Sequence, residues 1–242
     1  MKARVPAFIP FSWDVRFDEL DRIMHFGTRP WEWLQPVLGY APITFLINVN
    51  YNLWFIAMWM FWAWFAWQEK PGLNRTRAFL SFMLIWMIGG SLWAVAFSSA
   101  GPCYFTRLGL SPDPYAPLMS YLREVNQIFP IWAIDAQDAL WNGYLHGGII
   151  QGISAMPSMH NATTLLIVLA CWPLGPFVRT LAIGHMVLIF LGSVHLGWHY
   201  AIDAYVAWAL TLIIWYVAKP LAAWWESLPP AKRLALAMER AS

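Results

Sequence analysis

The feature that most constrains this chain is a set of long intervals without a single Asp, Glu, Lys or Arg. One runs from Trp33 to Gln68 and another lies between Arg77 and Arg107. Between Arg179 and Lys219 the only formal charge is Asp203. A helix needs ~20 mostly apolar residues to cross a bilayer. The intervals therefore predict membrane spans over about 43–67, between Arg77 and Arg107, from near Pro157 to the C-W-P-L-G-P stretch, over about 179–196, and over about 199–218. Pro173 and Pro176 stop the third, and the fifth is expected to end before Lys219-Pro220.

Composition agrees. The chain is 60% hydrophobic and 12% charged, against about 45–50% and about 25% in soluble domains. That excludes a disordered chain and argues against a nucleic-acid binder. A formal net charge of +2 gives no strong field to recruit an acidic partner. Cys103 and Cys171 are too few for a disulfide scaffold or a thiolate-rich metal site. The expected fold is all-α: one membrane domain over 1–242, a polytopic bundle of five to six transmembrane helices with short interfacial helices.

Residues 14–34 mix charges with Leu20, Ile23, Met24, Phe26, Trp31, Trp33 and Leu34, which predicts a helix lying in the interface with the two tryptophans as anchors. Pro30 and Pro36 keep it from running unbroken into the first span. Five spans put Lys70, Arg75, Arg77, Arg179, Lys219, Lys232, Arg233 and Arg240 on one face, which the positive-inside rule makes cytoplasmic. The N-terminal Lys2, Arg4, Arg16, Arg22 and Arg29 dissent, and a sixth embedded piece near the N-terminus would resolve this. The 101–156 segment then lies outside. Leu118, Leu122, Val125 and Phe129 recur in it at helical spacing, which predicts one or two short helices on the membrane over a cavity.

Polar groups in a span are costly, so they are functional candidates. Three clusters fall on the outer face: GPCYFTR at 101–107, MPSMHNATT at 156–164 and GSVHLGWHYAID at 192–203. Asn48, Asn50 and Asn52 read as interhelical hydrogen-bonding groups. His199 and Asp203, four apart, share a face of a helix. Asp203 can fix the imidazole tautomer and leave the other ring nitrogen as nucleophile or base. His160 opens another helix, where free N–H groups favour a phosphate, and can act as general acid on a leaving oxygen. Together these parts describe phosphoryl transfer through a phosphohistidine.

At these residues the sequence resembles the type-2 phosphatidic acid phosphatase superfamily, whose motifs read P-S-G-H and S-R-x5-H-x3-D. Here P-S-M-H stands at 157–160 and H-Y-A-I-D at 199–203, preceded by L-G-W; the resemblance covers roughly 100–205. It implies a helical bundle with its site at one membrane face, His199 as nucleophile, Asp203 as its orienter and His160 as the acid. Met159 replaces the motif glycine, and S-R aligns with Gly192-Ser193, so a phosphate-binding arginine is missing. Lys70 to Arg77, with Ala78, matches the family's K-x6-R-P but lies on the opposite face by the span count. Arg107 is the expected replacement, with Arg123 and His195 behind it and Tyr104 and Ser158 also at the substrate. These departures, with G-P-C-Y and H-Y-x-x-D, look more like the inositol phosphorylceramide synthase and sphingomyelin synthase branch. The implied partners are the bilayer, a lipid phosphate or phospho-headgroup donor, and a lipid alcohol or water as acceptor. No cofactor or metal is implied, and the site is expected on the extracytoplasmic face of the cell membrane.

Two other readings compete. His195, His199 and Asp203 have the spacing of a metal-ligating stripe on one helix. Alternatively the His and Asp groups relay protons in a transporter, although no inverted repeat accompanies them.

Overall fold

The computed structural model describes residues 10–68, 70–147 and 152–229. Lys2, Arg4, Lys232, Arg233 and Arg240, which enter the charge argument, lie outside these. Nine helices of eight or more residues are present among the described residues, and no strand. They are α1 (Asp14–Met24), α2 (Pro30–Leu38), α3 (Ala41–Gln68), α4 (Leu73–Met87), α5 (Ala116–Asn126), α6 (Trp132–His146), α7 (Met159–Cys171), α8 (Pro176–His195) and α9 (Ala201–Ser227). Helix α4 continues through a π-helical turn, Ile88–Trp93, to Ala96.

Among the described residues four helices are long and apolar enough to cross a membrane: α3, α4 with its π-turn, α8 and α9. Their outward faces carry Leu46, Phe55, Ile56, Met60, Met83, Leu181, Val187, Ile213 and Val217, all exposed, as a lipid-facing surface requires. The third expected span is α7, which is apolar but only 13 residues long. It sits at the centre of the bundle, touching α3, α4, α8 and α9. That explains its composition: a helix surrounded by others is apolar on every side. Its hydroxyls are met locally, Thr163 donating to the Met159 carbonyl at 2.8 Å and Thr164 to the His160 carbonyl at 3.0 Å.

Two expected boundaries are corrected. Helix α9 does not stop before Lys219-Pro220 but runs to Ser227. Pro220 removes one helical hydrogen bond, yet Ala218 and Ala222 on either side are fully buried, and α9 packs along α4. At this end of the bundle Arg77 donates to the Trp215 carbonyl at 2.8 Å and lies 3.9 Å from its ring centre. This places Arg77 against α9 at the end where Lys70, Arg75, Arg179 and Lys219 also lie. The N-terminal segment is not one helix but two, broken at Phe26-Gly27, both with positive φ. At 11 and 9 residues, α1 and α2 are too short to supply a sixth span.

The starts of α7 and α9 and the ends of α4 and α8 meet at the other end, covered by α1, α2, α5 and α6. The 101–156 segment forms α5 and α6 as expected. Asn48 holds α6 there, its Oδ1 accepting the Ala133 N–H at 3.0 Å and its side-chain amide donating to the Pro130 carbonyl at 3.4 Å. The asparagine thus bonds to a covering helix rather than to another span.

Helix α1 buries two of its acids. Leu20, Ile23 and Met24 are exposed, whereas Asp14 and Asp21 are each 2% exposed. Asp14 accepts the N–H groups of Ala100 and Gly101, and Asp21 those of Ala201 and Ile202. Burial pushes the Asp21 carboxyl up to about 7, against the pull of these donors. An unfolded aspartate titrates near ~3.9, so folding takes up a proton between that pH and about 7. This contribution to stability is full below about 4 and is lost as pH rises through about 7. The thermal midpoint of the detergent-solubilised wild type is therefore expected to decline across this window relative to Asp21→Asn. Parallel curves would contradict the assignment.

Candidate active site

The three outer clusters converge. His199 precedes α9, and its Nδ1 lies 3.2 Å from Oδ2 of Asp203 in the first turn. The same oxygen accepts the Tyr200 N–H at 3.1 Å. With Asp203 ionised, Nδ1 of His199 donates to it. His160, on the first turn of α7, has its ring centre 5.9 Å from that of His199. Its ring lies 4.0 Å from Trp54 and stacks on Tyr51 at 4.6 Å. Aromatic faces at such distances attract a cation.

The chain's local turns create this meeting. Ser158 caps α7, accepting the Asn161 side-chain N–H at 3.0 Å, and its own N–H donates to the Asp203 carbonyl at 3.1 Å. The starts of α7 and α9 are thereby joined at backbone level. Gly101, at φ +105°, brings its segment so close to the Trp198 carbonyl that a Cβ would stand 2.5 Å from the oxygen. On the α4 side, Gly89 and Gly90 of the π-turn admit the Met159 sulfur, which would lie 3.6 and 3.5 Å from a Cβ at those positions. The methionine that replaces the motif glycine is thus accommodated by two glycines facing it.

His160 and His199 border a cavity of about 260 Å³. Trp54, Trp86, Leu140, Ile153, Met159 and Trp198 supply apolar walls, and Tyr104 lines it with its hydroxyl donating to the Gln137 carbonyl at 3.1 Å. Ring contacts between α3 and α4 join Trp59, Trp62 and Phe65 to Phe79 and Phe82. Nearer the covered end, Trp54 and Trp86 of the same two helices both face the cavity. Tyr51 and Trp54 stand ten and thirteen residues into α3, so the histidines lie about 15–20 Å inward from its start.

Other expected site residues are not brought in. Arg107 forms an ion pair with Asp138 and borders a separate pocket of about 250 Å³ with Cys103, Asp113, Met119 and Arg123. The Tyr104 ring stands between Arg107 and the histidine cavity, 5.9 Å from the guanidinium. A span count places Arg107 at the correct end but carries no information on where its side chain turns. Arg123 likewise faces the second pocket. His195 is fully buried against Thr44, with Nε2 2.9 Å from the hydroxyl. It also does not share a helix with His199: α8 ends at His195, and Gly197, at φ +72°, turns the chain. The single-helix metal stripe is therefore not formed. Ser158 is a fully buried cap rather than a cavity residue.

Among the described residues no arginine or lysine at the cavity takes the place of the missing arginine. Ser193 is fully buried and accepts the Asn161 side-chain N–H at 3.2 Å, while a Cβ on Gly192 would lie 3.0 Å from Tyr51.

The family model described as the PAP2 superfamily matches residues 17–217. The chain belongs to the PAP2 superfamily. Searches of the curated proteins and of the solved structures give no match. Membership in the PAP2 superfamily makes the chain a phosphatase-type phosphoryl-transfer enzyme. The match begins within α1, so it takes in Asp21 as well as the histidine segments. Neither Asp14 nor Asp21 stands out in the sequence as a group that touches these segments. The only signal is that Asp14, Phe17 and Asp21 recur on one helical face.

Proposed function

We propose that this PAP2 superfamily member transfers a phosphoryl group from a membrane lipid through a phosphohistidine at His199, without a metal. The observation that carries the reading is the meeting of His160 and His199 at the wall of an apolar cavity, with Asp203 buried behind His199. Nε2 of His199 attacks phosphorus as the bond to the leaving oxygen breaks, and His160 gives that oxygen its proton. Water or an alcohol then attacks phosphorus, gives its proton to His160 and releases His199. The gap between the two rings suits one bridging phosphoryl group. Tyr104 and the tryptophans shape the cavity for the lipid, and the site faces the extracytoplasmic side of the cell membrane. The loops between spans support that orientation, with Lys70, Arg75, Arg77 and Arg179 opposite the site and Arg107 and Arg123 beside it, while Arg16, Arg22 and Arg29 of the N-terminal helices lie on the site side and oppose it.

A second reading within this chemistry, headgroup transfer to a lipid alcohol, is favoured by the lack of a guanidinium among the described cavity residues. A dianionic phosphomonoester depends on such a cation more than a singly charged phosphodiester does. The test is turnover in detergent with EDTA, offering a short-chain phosphatidic acid alone and a short-chain phosphodiester lipid with a lipid alcohol. EDTA-resistant turnover of either is expected, the phosphodiester being preferred. Activity that EDTA abolishes and a divalent metal restores would contradict metal independence.

A further inference from the structure

The first turn of α9 sets up a competition for Asp203. Its first backbone N–H groups, those of Ala201 and Ile202, have no partner within the helix. An acid at the third position normally serves the start of its own helix, and Asp203 does so by accepting the Tyr200 N–H. The oxygen it uses is the one that faces His199. Asp203 is fully buried and its second oxygen has no partner among the described residues, so an unmet N–H beside it would draw on this carboxylate and turn it away from His199.

Asp21 removes that demand. One of its oxygens accepts the Ala201 N–H at 2.7 Å and the other the Ile202 N–H at 2.8 Å. A carboxylate also suits the positive end of the α9 dipole. No Lys or Arg pairs with Asp21 among the described residues. The titratable groups around it include Asp203, Tyr115, Tyr205 and His25, whose ring bridges the Asp21 carbonyl and the Tyr205 hydroxyl. Asp14, two turns earlier on α1, repeats the arrangement: it accepts the Ala100 and Gly101 N–H groups and the Tyr200 hydroxyl at 3.0 Å. Ala100 lines the cavity, and Tyr200 follows His199 directly.

We propose that Asp21 is a positioning residue for His199: by accepting the first two N–H groups of α9 it leaves Asp203 to orient the imidazole, while Asp14 steadies the same turn through Tyr200. This rests on the reading of His199 as nucleophile. Helix α1 is then part of the machinery and not only an interfacial anchor.

The test compares Asp21→Ala, Asp21→Asn, Glu19→Ala and His199→Ala in the full chain at about pH 8, above the value of about 7 to which burial raises Asp21. Glu19 is an exposed acid on the same helix and serves as the charge-matched control. Asp21→Ala is expected to lower kcat per folded molecule about 10²-fold with KM changed less than about twofold. Asn keeps one acceptor oxygen and should recover about tenfold of that loss. Glu19→Ala should match wild type. Wild-type kcat in Asp21→Ala beside an inactive His199→Ala would overturn the inference and leave the nucleophile reading intact. Wild-type activity in His199→Ala would overturn the nucleophile reading instead. Nitrogen-15 histidine NMR needs no substrate, and the His199 signal is assigned by its loss in His199→Ala. The Nδ1–H tautomer is expected in wild type and a mixed population in Asp21→Ala, or in Asp21→Asn should the alanine variant not fold. An unchanged His199 signal in the folded variant would overturn the inference.

Discussion

His199→Ala is expected to reduce turnover by about 10⁴-fold or more, since under the proposed mechanism it removes the nucleophilic atom. The loss should fall on kcat rather than KM, because the apolar cavity walls, Trp54, Trp86, Leu140 and Trp198, are untouched. The variant should fold: His199 precedes α9, and its backbone N–H donates to the Ser193 carbonyl at 3.0 Å whatever the side chain. Steady-state kinetics in detergent, normalised to folded protein, measures this. A variant within about tenfold of wild type would remove His199 from the covalent step.

His160→Gln is expected to cost about 10²–10⁴-fold, the usual weight of a general acid, and its signature separates it from His199. Donating a proton matters only when the leaving oxygen needs one. With a p-nitrophenyl leaving group, stable as an anion, the loss should shrink by about tenfold or more, whereas the loss in His199→Ala should not depend on the leaving group. Equal losses with poor and good leaving groups would show that His160 acts in some other way, such as by holding the phosphate. The pocket itself should survive the change, since Trp54 also bonds to Thr163 at 3.2 Å.

Much of this arrangement is legible in the sequence, and the rest fails for identifiable reasons. The long charge-free intervals give α3, α4, α8 and α9 because burying a backbone in hydrocarbon leaves few alternatives to a helix. Topology then forces 101–107, 156–164 and 192–203 to one end. His160, His199 and Asp203 follow because each lies at a helix start, where position along the chain fixes position in space. Arg107 and Arg123 illustrate the limit. Their end of the bundle is correct, but whether a long side chain turns toward a cavity or toward Asp138 depends on packing that no spacing rule contains. The pairing of His195 with His199 fails for a backbone reason: four residues suggest one helical face, yet the glycine between them ends the helix.

Helix α1 is the most informative departure. Its mixture of charges with Leu20, Ile23 and Met24 reads as a helix lying in the interface. These three side chains are exposed, at 41%, 63% and 48%, but Asp14 and Asp21 find backbone N–H groups instead of water. A membrane-facing helix can thus bury its acids and expose its leucines. Local amphipathicity cannot distinguish that from the ordinary case, because the donors lie far along the chain.

The central claim is that phosphorus passes through a bond to His199. It is tested most directly by quenching wild type into alkali during turnover of a phosphorus-labelled short-chain lipid in EDTA, then mapping the label to a peptide. The account predicts alkali-stable, acid-labile label on His199 in wild type and none at that position in His199→Ala. Label on another residue, or turnover in His199→Ala equal to wild type, would contradict it.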